Sequence, residues 1–256
     1  MSDGSSTAEL EGSGDQAEVA WAVAVAGRVR GLHCDRPLPA ASTIKVAIAT
    51  CFWRAVGEGR FDPAATADQL ELTGDGALLD HLPGLVPTFA HCATLMLAVS
   101  DNAATNAILA LVGLDGVQRE CERLGMGATR IRRRMADWEA QAAGRENETT
   151  PRDLAVMMAS LADPRVVPVP VRLRVVTDLA ASHHLDVIAE VLVGRADAIY
   201  PKAGELAVAR HDCALVRADR RVLGVAVCSS PPASAAALRA AVVEAAAAAE
   251  VGAGRS

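Results

Sequence analysis

Aromatic side chains are scarce in this sequence: three Phe, three Trp and one Tyr, 3% of 256 residues. A core without them has to be built from aliphatic side chains and close-packed alanine helices. The 51% hydrophobic content, much of it Ala and Val, supplies both. Positive charge is also short. The formal net charge is -6, which argues against a general nucleic-acid surface, since that needs a positive field to attract phosphates. The basic run from Arg130 to Arg134 reads as a solvated face. Paired cysteine motifs are missing. Cys34, Cys51, Cys92, Cys121, Cys213 and Cys228 are scattered with no C-x-x-C spacing, so zinc is not expected and free buried thiols are. Long apolar runs are missing too. Val19 to Ala26 is too short to span a bilayer, and Arg239 and Glu244 interrupt the Ala-rich C-terminal region, so no membrane partner is expected. Residues 1–17 are acidic and Ser/Gly-rich, without the basic and apolar segments of a leader. They are expected to form a disordered tail on a cytoplasmic protein.

What is present is a clear order of elements. Two β-prone runs flank Gly27, from Trp21 to Ala26 and from Val29 to Asp35, and predict a hairpin. Pro37 and Pro39 then break the chain, and apolar residues recur at helical spacing from Ala40 to Val56. Residues 60–85 are loop-rich. Helices are predicted over Phe89–Val99, Ala103–Val112 and Leu114–Leu124, followed by a polar, irregular stretch to Thr150. Thr150-Pro151-Arg152-Asp153 is a helix start with a capping Thr, a first-turn Pro and an acid at the positive helix end. That helix runs to Leu161, and another spans Pro170–Ala181. Beyond it, Ala198 to Gly204, Asp212 to Arg217 and Arg221 to Cys228 are strand-like, and a long Ala-rich helix covers 233–249. The fold class expected is α+β. Residues 18–55 and 195–256 would form a mainly antiparallel sheet covered by helices, and residues 56–194 a helical lobe, with a ligand cleft between them.

Three short motifs can carry chemistry. Ser42 and Lys45 lie three residues apart at the start of a predicted helix, on one face. A serine hydroxyl becomes a nucleophile when a base takes its proton, and a lysine is such a base only when its pKa falls well below ~10.4. Burial and a neighbouring cation both push it down, and backbone N–H groups at the helix start suit an oxyanion. Ser100-Asp101-Asn102 sits between two helices. Its residues cap helices well, while a loop serine can also relay a proton and the Asn amide can hold a substrate amide. Lys202-Ala203-Gly204 lies on a predicted strand, where a lysine can meet a carboxylate and a glycine lets a ligand approach the backbone.

S-x-x-K, then S-D-N, then K-x-G, in this order with helices between, resembles the motif set of class A β-lactamases and penicillin-binding proteins. The run Ser100 to Leu109, the run Gly113-Leu114-Asp115-Gly116-Val117 and Thr149 to Ala155 are similar to the class A pattern as well, so the resemblance covers most of residues 20–250. It implies a β-lactamase/transpeptidase-like fold and a serine hydrolase without cofactor or metal. Ser42 would be acylated, and Lys45 would hydrogen-bond it and share its proton. Ser100 would pass a proton to the leaving nitrogen. Asn102 would bind the acyl side-chain amide and help hold Lys45, and Lys202 would attract the substrate carboxylate. The backbone N–H groups of Ser42 and Glu205 would form the oxyanion hole beside Gly204. Arg210 would either supply a second cation to that carboxylate or belong to a structural ion cluster with His211 and Asp212. The partner implied is a small molecule with a carboxylate: a β-lactam, an ester or a peptide-like amide.

The sequence departs from this pattern in two places. The glutamate that activates the deacylating water in class A enzymes is missing from the loop before Thr150, where its position falls close to Arg134-Met135-Ala136. Losing a general base costs typically ~10²–10⁴ in rate. Asp137 is the candidate substitute, if the loop bends it inward. Ala203 lacks the hydroxyl that would donate to the substrate carboxylate, a loss on the order of 1.5–3 kcal/mol. These departures leave three functions in competition: a weak β-lactamase, a cytosolic esterase, amidase or acyltransferase on the same scaffold, and a non-catalytic domain that is acylated or merely binds.

Overall fold

The computed structural model describes residues 18–250 except 69, 83 and 183–186. The expected N-terminal tail lies outside the described residues. Five strands form one antiparallel sheet in the order β2-β1-β7-β6-β5: β1 (Val19–Val25), β2 (Arg28–Leu32), β5 (Ala198–Leu206), β6 (Ala209–Ala218) and β7 (Arg221–Ser229). The first and last strands are therefore neighbours in it, with β1 paired to β7 from Val19↔Ser229 to Val25↔Leu223. Side chains alternate across a strand, and here both sides are buried. Cys213 and Leu215 of β6 and Ala226 and Cys228 of β7 face one core. Their neighbours Ala214, Val216, Val225 and Val227 face a second. That is why these strands read as nearly unbroken apolar runs.

The second core is closed by α8 (Val187–Leu192) and α9 (Ala235–Ala248), with Ile188, Leu238 and Val242 buried against the sheet. On the other face α6 (Pro151–Ser160) lies directly on β7. A Cβ at Gly224 would overlap the carbonyl of Ala155, so the glycine sets this close approach. Beyond α6 come α1 (Lys45–Gly57), α2 (Phe89–Ala98), α3 (Asn102–Val112), α4 (Leu114–Arg123) and α7 (Val169–Ala180). α1 is buried on nearly every side, as a helix apolar all round must be. Glu120 of α4, fully buried, pairs with Arg54 of α1 at 2.8 Å, and Arg54 also donates to the Val166 carbonyl. The six cysteines are free thiols. Five are buried, and Cys34 is partly exposed.

The structure bears out the α+β class and adds details the sequence did not signal. The first turn of the Ser42 helix is a 3-10 turn (Ala41–Ile44) that passes into α1. Two-residue strands β3 (Leu38–Pro39) and β4 (Glu148–Thr149) pair as a small second sheet. The irregular stretch before Thr150 contains a five-residue helix, α5 (Trp138–Ala142).

Candidate active site

Ser42 sits in the tight turn that feeds α1, following Ala41 in the left-handed region at φ 48°. Thr43 stabilises the turn by donating to the Ala40 carbonyl at 2.5 Å. One turn on, Lys45 is fully buried. Its Nζ donates to the Ser100 carbonyl at 2.7 Å, to Ser100 Oγ at 3.1 Å and to Asn102 Oδ1 at 2.7 Å. The expected hydrogen bond between Ser42 and Lys45 is not formed; Nζ is engaged instead by Ser100 and Asn102. Desolvation, followed by the charge of Lys202, holds the Lys45 pKa well below the ordinary lysine value, against the weaker opposing pull of Asp101 and Asp75.

Each residue of the Ser100-Asp101-Asn102 segment has a separate task. Ser100 adopts φ 59°, a conformation that costs a non-glycine residue of order 1–3 kcal/mol. It brings both the carbonyl and the hydroxyl of one residue to Lys45. Asp101 is the helix cap: it accepts from Ala104 N at 2.9 Å, and its other oxygen takes the backbone N–H groups of Leu78 and Leu79 at 2.8 and 2.9 Å. Asn102 turns its oxygen to Lys45 and its nitrogen to the Asp75 carbonyl at 2.9 Å. Lys202 approaches from β5 and donates to Ser100 Oγ at 3.1 Å and to the Ala203 carbonyl at 2.9 Å. One serine hydroxyl thus bridges two lysine nitrogens.

Register separates the remaining β-strand residues. Gly204 pairs with His211 on the Ser42 side of the sheet. A Cβ on Gly204 would stand 2.7 Å from Ser42 N and 3.0 Å from Thr43 N, so the strand meets the turn through bare backbone. Glu205 lines the recess that holds Ser42, Asp75 and Asn102. Glu205 is also the register partner of Arg210. Arg210 lines an adjoining recess beneath α8 and α9, which Glu205 borders as well, with Ala203, Asp212, Glu190 and Arg239. It is not among the residues that line the Ser42 recess. His211 bonds through Nε2 to the Pro39 carbonyl at 2.7 Å, and Asp212 accepts from Ile188 N at 2.8 Å.

The loop from Arg133 to Asn147 closes the recess. Asp137 does not bend inward. It caps α5, accepting from Ala140 N at 2.9 Å, and faces a neighbouring recess. A short helix needs its N-cap, and this one claims the carboxylate. Met135, Ala136 and Trp138 are among the loop residues that line the recess with Ser42. The Met135 backbone exchanges two hydrogen bonds with the Asn106 side chain, at 2.9 and 3.0 Å. The acidic residues among those that line the recess with Ser42 are Asp75, Glu146 and Glu205. Asp75 and Glu146 carried no sequence signal, since both lie in aperiodic loops. Glu146 is committed elsewhere: Arg133 holds it at 2.8 Å, Gln141 Nε2 donates to it at 2.6 Å and Asn147 N at 2.8 Å. Among the described residues no group of three or more His, Cys, Asp or Glu could hold a metal ion, and no helix is long and apolar enough to cross a membrane.

Such a site, two buried lysines around a bridging serine hydroxyl beside a second serine at a helix start, can move a proton from one hydroxyl to another and attract an anion. Residues 7–250 match the family described as the Beta-lactamase enzyme family. Among curated proteins none matches the chain. Of the solved structures it is similar to, PBP-A is 22% identical, with 94% of this chain and 93% of that one aligned and a TM-score of 0.81. A leucine-to-glutamate variant of PBP-A, an acyl-enzyme complex with penicillin G, is likewise 22% identical over 93% and 92%, with a TM-score of 0.80. A β-lactamase from Sphaerobacter thermophilus DSM 20745 is 26% identical over 91% of both chains, with a TM-score of 0.77.

Proposed function

Since the chain belongs to the Beta-lactamase enzyme family and is a serine hydrolase, we propose that β-lactams acylate it on Ser42 and that the acyl group leaves slowly. The observation that carries this reading is the Ser100 hydroxyl held 3.1 Å from both Lys45 Nζ and Lys202 Nζ. Lys45, with its depressed pKa, takes the Ser42 hydroxyl proton as Oγ bonds to the lactam carbonyl carbon. The oxyanion rests on backbone N–H groups at Ser42 and Glu205. When the carbon–nitrogen bond breaks, the proton passes from Lys45 through Ser100 Oγ to the leaving nitrogen. Lys202 draws in the substrate carboxylate, and Asn102 keeps Lys45 in place from the other side.

Hydrolysis of the resulting ester needs a base for water. Met135 in the recess, Asp137 turned to its helix and Glu146 neutralised by Arg133 support a slow second step, within the ~10²–10⁴ span that a missing general base costs. Intact-mass spectrometry after exposure to penicillin G tests both halves. Because the opened ring stays attached, the expected adduct carries the mass of the whole antibiotic. It should be absent from Ser42→Ala and outlast removal of free drug. An adduct that survives in Ser42→Ala, or none in the native protein, overturns the assignment.

A further inference from the structure

The recess around Ser42 is small, about 60 Å³, room for little more than the reacting atoms. Whatever acyl group is attached has to extend beyond it. One way out is a lined groove with a polar entrance and an apolar far wall. Met135 and Ala136 are shared with a second recess of about 310 Å³, whose wall includes the exposed Leu72. That recess shares Glu71, Asn106 and Arg134 with a third cavity of about 540 Å³, walled by Leu70, Phe89, Ala107 and Leu111. Its size is that of a small-molecule site. α3 runs beside all three. Asn102 borders the first, Asn106 the second and third, and Ala110 the far end of the third. Eight residues at 1.5 Å each put Ala110 ~12 Å beyond Asn102. The Arg134–Glu71 ion pair, at 2.9 Å, borders both the second and the third cavity. Its side chains are 40% and 74% exposed, so parting them costs little.

We propose that the third cavity binds the apolar tail of the substrate's acyl group, making the enzyme selective for long aliphatic acyl chains. This rests on the reading of Ser42 as the acylated residue and adds the class of acyl group it receives. The carboxylate end lies at Lys202 and the carbonyl at Ser42. The chain beyond the carbonyl passes Asn102 and Met135, slips under Arg134 and ends against Phe89 and Leu111. Each buried methylene favours binding, so affinity should climb with chain length until the ~12 Å are filled.

N-acyl derivatives of 6-aminopenicillanic acid test this, with the acylation rate of Ser42 read by intact mass. The decanoyl compound should react at least tenfold faster than the acetyl compound. Ala110→Trp, a change at an exposed position, should bring that ratio back toward one. Equal rates in the native protein, or a ratio that survives Ala110→Trp, overturns the proposal. If no derivative acylates the protein, the Ser42 reading fails by itself. Calorimetry on Ser42→Ala still decides the cavity: N-decanoylglycine should bind at least tenfold more tightly than N-acetylglycine, and equal affinities refute it.

Discussion

The side chain of Asn106 and the backbone of Met135 grip each other through two hydrogen bonds, Oδ1 accepting at 2.9 Å and Nδ2 donating at 3.0 Å. A buried α3 residue thereby fixes one of the loop positions that line the Ser42 recess. Met135→Glu should leave this grip intact, because it is a backbone contact, and put a carboxylate where a water can reach the acyl carbonyl. The penicillin adduct should then decay at least tenfold faster in a mass-spectrometric time course, and Met135→Gln, of similar shape, should not speed it.

Lys45 supplies a pH prediction. Burial first, then the charge of Lys202, depresses its pKa, and the neutral amine is the form that accepts a proton. Acylation should therefore rise with pH through a value well below 10.5 and level off above it. Lys202→Gln removes a cation that holds the pKa down, so the rising limb should move to higher pH. A limb that stays in place in stopped-flow pH profiles would mean another group titrates.

Gly204 offers a steric test. Its missing Cβ would stand 2.7 Å from Ser42 N, where the oxyanion is to be bound. Gly204→Ala should lower the acylation rate by ~10²–10³, the usual loss for one oxyanion donor, with the circular dichroism spectrum retained. Near-normal acylation would place the oxyanion elsewhere.

His211 links the site to acid stability. It is 2% exposed, its Nδ1 has no hydrogen-bond partner among the described residues, and burial lowers its pKa below 6.5. Below 6.5 the unfolded chain takes up the proton first, so stability falls as pH drops from 6.5 toward the depressed folded value. His211→Gln lacks this titration. Its melting temperature should fall less between pH 7 and pH 5 than that of the native protein.

Much of the fold was legible in the sequence because its signals are local. Thr150, Pro151 and Asp153 start α6 as their chemistry dictates, with Thr150 Oγ accepting from Asp153 N at 3.1 Å. The order of Ser42, Lys45, Ser100, Asn102 and Lys202 along the chain anticipated the cluster. Two placements rest on what the sequence does not carry. Arg210 lies outside the lining of the Ser42 recess, a placement set by strand register that no local pattern announces. Asp137 was lost to α5, a helix too short to give a periodic pattern.

The neck of the loop over the recess is closed by backbone on both sides. β3 pairs with β4, Arg130 bridges to Glu148, and Asn147 Oδ1 accepts from the N–H groups of Arg132 and Arg133 while its Nδ2 donates to the Arg133 carbonyl. Residues 134–146 thus leave and re-enter the body at one fixed point, while α6 behind them is seated on the sheet at Gly224. Lengthening or replacing such an excursion costs only the slowly growing entropy of a closed loop. The fate of the bound acyl group can accordingly be rewritten, between a trap and a catalyst with turnover, by exchanging this one loop, provided the Met135 backbone keeps its hold on Asn106.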